Sequence, residues 1–187
     1  MQVEYFQEPW PYIVIDGFYP DDVFEKIKQG AKTAYDSYDL KIVDRNKCEV
    51  PKEVHSLDTH DYQSFFERLN KERPDISDFN SGKYSFELER WFNFIIPKED
   101  KGFEYPLHFE HPSKIMSVVV YVAPDEGTGT LIYTKDKEFF TEIEWKPNRA
   151  LIFSGIRGIT WHGYKCEPRH KYRLTYNTFL RKSRNRD

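Results

Sequence analysis

The chain of 187 residues carries 28 basic and 31 acidic side chains, for a net charge of −3. That balance excludes the broadly basic surface that nucleic-acid binding requires. Aromatic residues make up 17% of the chain, with 15 Phe, 13 Tyr and 4 Trp, which excludes a disordered chain and favours a packed β-rich body.

Cys48 and Cys166 are the only cysteines and stand outside any Cys-x-x-Cys pattern. They form neither a disulfide framework nor a zinc knuckle, and they suit a reducing compartment. The first residues, Met1–Phe6, lack the basic-then-apolar pattern of a secretory signal, and runs such as Val118–Ala123 are too short to span a bilayer. The expectation is a cytoplasmic protein with no membrane and no nucleic-acid partner; oligomeric state is not legible.

In chain order, Pro11–Phe18 reads as a short strand closed by the Asp16-Gly17 turn. Pro20-Asp21-Asp22 starts a helix, with acidic residues at its positive end. Val23, Phe24, Ile27 and Ala31 then recur at helical spacing, so the helix runs from about Asp21 to Tyr35. Asp36–Leu57 is polar, contains Pro51 and reads as irregular. A second helix spans Tyr62 to Lys71, stopped by Arg73-Pro74-Asp75.

From Lys83 the period changes to two. Tyr84, Phe86, Leu88, Arg90, Phe92 and Phe94 alternate with Glu87, Glu89, Trp91 and Asn93, which is a long strand. Further strands are expected at Leu107–Glu110, Ile115–Val122, Thr130–Thr134, Thr141–Trp145, Ala150–Phe153, Thr160–Tyr164 and Tyr172–Leu180. Many short strands with regular turns argue a sandwich or barrel. The basic cluster Arg181–Arg186 reads as a solvated tail.

The candidate chemistry lies in three places. His108 and Glu110 are two apart, so on a strand both point to one side. His162 follows Trp161 on a later strand, and Arg173 lies in the strand after that. Two imidazoles and a carboxylate make up the facial iron(II) site, which leaves positions open for oxygen and a co-substrate. An arginine nearby suits a carboxylate through its two-pronged donor geometry. The zinc-peptidase pattern is absent, because His-Phe-Glu-His lacks two histidines at i and i+4. Trp161 reads as a core aromatic. His55, His60, His111 and His170 read as solvated, with His55 and His60 in a polar loop that would serve as a lid.

These motifs in this order resemble the iron(II)- and 2-oxoglutarate-dependent dioxygenases, particularly the branch similar to prolyl 4-hydroxylase. The matching residues are Pro11–Phe18 and its helix, then His108-x-Glu110-x-Pro112-x-Lys114, Val118–Val122, Gly129–Tyr133, Pro147–Phe153, Trp161-His162-Gly163 and Arg173. The resemblance implies one oxygenase-like domain over residues 1–187. It would be mainly β with flanking N-terminal helices: a helical support region at about 1–82 and a double-stranded β-helix (jelly-roll, cupin-like) core at about 83–181.

It further implies iron held by His108, Glu110 and His162, and 2-oxoglutarate bound by Arg173. Thr175 would add a hydroxyl, and either Tyr121 or Tyr133 would contact the same carboxylate; ascorbate would be an accessory reductant. The activity implied is hydroxylation of a C–H bond in a small molecule or a protein side chain, with release of succinate and CO2. The family usually has Asp where this chain has Glu110. That departure leaves a second reading open: a metal- or ligand-binding jelly-roll without turnover.

Overall fold

The computed structural model describes residues 1–37, 45–71 and 84–184. Among these, eleven strands form two antiparallel sheets that face each other, with helices on the outer side of the larger one. The N-terminal part supplies β1 (Gln2–Phe6), β2 (Tyr12–Asp16), α1 (Asp21–Ser37), β3 (Arg45–Glu49), α2 (Lys52–His55) and α3 (Tyr62–Leu69). Then follow β4 (Tyr84–Ile95), β5 (Phe103–His108), β6 (Lys114–Ala123), β7 (Thr130–Tyr133) and β8 (Phe139–Ile143). The last strands are β9 (Arg149–Ser154), β10 (His162–Cys166) and β11 (Arg173–Arg184).

The major sheet has seven strands in the order β1-β2-β9-β6-β11-β4-β3, and the minor sheet four, in the order β5-β10-β7-β8. Sequence neighbours are therefore seldom sheet neighbours, and the chain crosses repeatedly between the two sheets.

The central strand β6 shows why both faces of the major sheet are apolar. Met116, Val118, Val120 and Val122 point outward into a core shared with the helices. Val119 and Tyr121 point inward, to the core between the sheets. A strand covered on both sides reads as a nearly continuous apolar run rather than a clean alternation. Helix α1 supplies the outer cover through Phe24, Ile27, Ala31 and Ala34, all buried on one stripe. Asp61 caps α3 by accepting a 3.1 Å hydrogen bond from the Ser64 amide.

Several expectations need correction. The region before residue 83 is not only helical, since β1, β2 and β3 extend the major sheet at both edges. Within the stretch read as irregular, Arg45–Glu49 pairs with β4, and Pro51 precedes the short helix α2. The two helices end at Ser37 and Leu69 rather than at Tyr35 and Lys71. Arg181 and Lys182 are not a solvated tail: they are half-buried in β11, and Arg181 pairs with Glu89. Residues 185 and 186 of that cluster, and the breaker Arg73-Pro74-Asp75, lie outside the described residues.

His60 is likewise not a lid residue. Its ring stacks on Phe18 at 3.8 Å, and its nitrogens lie 3.2 Å from Asp58 Oδ1 and 3.0 Å from the Phe18 carbonyl. Asp58 is the centre of a polar cluster in the helical layer, with a side chain 0% exposed. It accepts hydrogen bonds from Tyr62 Oη at 2.6 Å and Arg90 Nε at 2.9 Å. Burial alone would push the Asp58 carboxyl up; the bonds from His60, Tyr62 and Arg90 overcome this and hold it below its ordinary value. No helix among the described residues is long and apolar enough to cross a membrane.

Candidate metal centre

The two site histidines meet because β5 and β10 pair. His108, the last residue of β5, sits directly opposite His162, the first residue of β10, and their ring centroids are 4.3 Å apart. Glu110 lies just past the end of β5 rather than on it. The side-by-side placement expected from strand alternation is therefore reached through the turn into β6.

That turn is closed by the Lys114 amide donating to the His111 carbonyl at 2.8 Å. Gly155 permits it: a Cβ there would fall 2.2 Å from the Lys114 carbonyl oxygen and 3.2 Å from Glu110 Cβ. Phe109, between the two, turns the other way and packs edge-on against Trp161. Trp161 is partly exposed rather than a core residue, with Lys137 Nζ 4.6 Å from its ring centre.

Ligand-capable atoms of His108, Glu110 and His162 all lie within 4.8 Å of one another. Each histidine has Nδ1 beside a backbone carbonyl two residues upstream, at 3.0 Å from Pro106 O and 2.9 Å from Thr160 O. A donor Nδ1–H fixes the tautomer and leaves Nε2 as the lone-pair atom, the usual arrangement of a metal-binding imidazole. His162 Nε2 lies 3.8 Å from Glu110 Oε1.

The Glu110 carboxylate is buried, and it accepts from Lys114 Nζ at 3.0 Å on Oε2 and from Ser117 Oγ at 2.9 Å on Oε1. Burial pushes its pKa up, but in the metal-free protein the positive charge of a protonated His162 and of the Lys114 ammonium outweighs that and holds the carboxyl below its ordinary value.

Below the trio lies a cavity lined by Asn93, Val119, Thr130, Tyr164, Arg173, Thr175, Asn177 and Phe179 together with the three candidate ligands. Its volume is ≈ 30 Å³, room for a water or two. Arg173, Thr175, Asn177 and Phe179 all come from the inward face of β11. The Arg173 guanidinium is 3% exposed as a residue and boxed by the rings of Tyr164, Trp145 and Tyr121 at 4.6, 5.1 and 5.7 Å. Its Nε donates to Thr128 O at 3.2 Å. Thr175 Oγ1 and Asn177 Oδ1 are buried without a hydrogen-bond partner, as expected of groups that face a polar ligand. Arg169, in the turn before β11, is exposed and pairs with Glu167.

The two tyrosines are placed differently from the arginine. Tyr121 Oη is committed to Thr130 Oγ1 at 2.9 Å and accepts from the Thr130 amide at 3.0 Å, so it faces the arginine with its ring. Tyr133 is not on the cavity wall and packs against Phe139. Tyr164 lines the cavity and was missed by the sequence reading. The available signal was its position two residues after His162, on the same face of β10.

No protein-family model and no curated protein matches the sequence. Solved structures do match. An oxidoreductase of the 2OG-Fe(II) oxygenase family from Burkholderia pseudomallei aligns with a TM-score of 0.61 at 11% identity, over 92% of this chain and 85% of that one. The fold is that of the 2-oxoglutarate/iron(II) oxygenases.

Two prolyl hydroxylases share this oxygenase fold. One, from Trichoplax adhaerens in complex with a hypoxia inducible factor oxygen degradation domain peptide fragment, has a TM-score of 0.59 at 16% identity, covering 91% of this chain and 83% of that one. The other is the viral collagen prolyl hydroxylase of Paramecium Bursaria Chlorella virus-1 in its 2OG complex. It has a TM-score of 0.54 at 17% identity, over 92% and 96% of the two chains. The double-stranded β-helix expected from the sequence is therefore the fold observed.

Proposed function

We propose that this protein is an iron(II)- and 2-oxoglutarate-dependent dioxygenase that hydroxylates a C–H bond with release of succinate and CO2. The observation that carries the reading is the convergence of His108, Glu110 and His162 at the head of a cavity whose wall includes a buried arginine. Bound iron(II) supplies open coordination positions for a 2-oxo acid and dioxygen, and redox chemistry that no side chain offers.

The chain's own residues then have distinct tasks. His108 and His162 present Nε2, each fixed in that tautomer through Nδ1. Glu110 would supply a carboxylate ligand and balance part of the metal's charge. Arg173 pairs with the distal carboxylate of 2-oxoglutarate; the fork geometry of guanidinium and carboxylate gives orientation as well as attraction. Thr175 adds a hydroxyl to that carboxylate. Tyr164 and Tyr121 keep the arginine in place and exclude water. The peptide held by the Trichoplax neighbour supports a protein side chain as the substrate here, alongside a small molecule.

Anaerobic addition of iron(II) and then 2-oxoglutarate to the apo-protein tests this. A visible metal-to-ligand charge-transfer band should form in the wild type and be lost in His108→Ala and Arg173→Ala. No band from folded wild-type protein would refute the assignment and favour a jelly-roll binding module, the reading that Glu110 leaves open.

A further inference from the structure

Glu110 has one methylene and one rotor more than the aspartate usual at this point, so its carboxylate has more ways to meet a metal. Held loosely, it would chelate through both oxygens and occupy a coordination position that a co-substrate needs. The structure contains a device that opposes this. Lys114 Nζ sits 3.0 Å from Oε2, the oxygen turned away from His162, while Oε1 lies 3.8 Å from His162 Nε2 and accepts from Ser117.

Lys114 is itself 8% exposed, with Nζ 3.5 Å from the centre of the Phe179 ring. A buried charge needs a close partner of opposite sign, and here that partner is the far oxygen of Glu110. The tight turn that brings Lys114 back over Glu110 depends on Gly155, where any side chain would strike the Lys114 carbonyl.

From this geometry we infer that Lys114 is a positioning residue that makes Glu110 a one-oxygen ligand and so keeps a metal position open for 2-oxoglutarate. The inference rests on the proposed metal site. It carries a directional signature that simple damage does not: removing the ammonium should strengthen the carboxylate's hold on the metal while weakening the co-substrate.

The test uses the full chain and its Lys114→Met variant, in which methionine keeps the packing on Phe179 and removes the charge. Cobalt(II) affinity and visible spectrum report the coordination number, and anaerobic iron(II) titrations report 2-oxoglutarate affinity through the charge-transfer band. In Lys114→Met, metal binding should be equal or tighter and the cobalt bands should change, while 2-oxoglutarate affinity falls at least tenfold. Ser117→Ala releases the near oxygen instead and should weaken the metal with little effect on 2-oxoglutarate.

Unchanged cobalt bands and unchanged 2-oxoglutarate affinity in Lys114→Met would overturn the inference, as would metal binding weakened in a folded variant. If methionine is not tolerated, Lys114→Gln, which keeps a donor without charge, should show the same changes at smaller amplitude, and the same null result counts against it. Wild-type protein that binds no cobalt would instead refute the metal site itself, a separate outcome visible before any variant is compared.

Discussion

Asp58→Asn should destabilise the fold by about 3–5 kcal/mol, the cost typical of breaking a buried ion pair by removing one partner. The size follows from the surroundings. The Asp58 side chain is fully buried, and that of its partner Arg90 is 12% exposed, so water cannot replace the lost charge. An exposed pair would contribute only about 0–1 kcal/mol. The amide also cannot accept in the same pattern from Arg90, Tyr62 and His60, which leaves at least one buried donor unmatched.

The assay is urea unfolding at pH 7, comparing midpoints at constant slope. The pH dependence gives a second check. The folded-state pKa is depressed, so the contribution of Asp58 is present above the unfolded carboxyl pKa, near 4, and is lost as pH falls through the folded value. The Asn variant should lack that part of the acid limb. Adding Arg90→Met should recover part of the loss, since it removes the stranded buried guanidinium. A loss below about 1 kcal/mol for Asp58→Asn with an unchanged slope would refute the argument.

Three further outcomes are expected. His162→Ala should abolish iron-dependent succinate formation while the far-ultraviolet circular dichroism stays that of the wild type; undiminished succinate would remove His162 from the site. Arg173→Lys should weaken 2-oxoglutarate at least tenfold with iron affinity retained, because a point ammonium replaces a two-pronged donor; equal affinities would leave the carboxylate contact to another residue. Gly129→Ala should cost about 3 kcal/mol or more in thermal or urea unfolding, since its Cβ would overlap the Ile143 carbonyl oxygen at 1.7 Å; a neutral result would mean that the β7–β8 pairing adjusts freely.

The parts of the fold legible in the sequence were those whose period follows burial. The alternation along β4 and the apolar runs of β6 and β9 mark strands because each has at least one face in a core. Strand β3 was missed because Arg-Asn-Lys-Cys-Glu offers Cys48 as its one apolar residue, and it lies at the sheet edge. Strand β1 lies at the opposite edge and is half to fully exposed.

The histidines separate on the same ground. His108 and His162 stood out through their neighbours in the sequence. The setting of His60 depends on Phe18, a contact that no local pattern contains. Glu110 was placed on the right side for a partly different reason, since the turn and not the strand carries it there. Tyr121 and Tyr133 could not be told apart because a hydroxyl's partner is decided by the facing sheet, here Thr130 on β7.

Strand β11 also acts as a ruler. The cavity residues Arg173, Thr175, Asn177 and Phe179 succeed one another at every second position, and each step advances about 7 Å along the strand. On the opposite face of the strand, Leu174, Tyr176 and Leu180 are locked in the helical core, so the strand cannot slide by one residue without exchanging the arginine for a leucine. In the proposed site, the distance from arginine to metal would thereby be graduated in coarse units. Discrimination between diacids differing by a single methylene would then come from side-chain length, arginine against lysine or glutamate against aspartate, and not from moving a residue along the backbone.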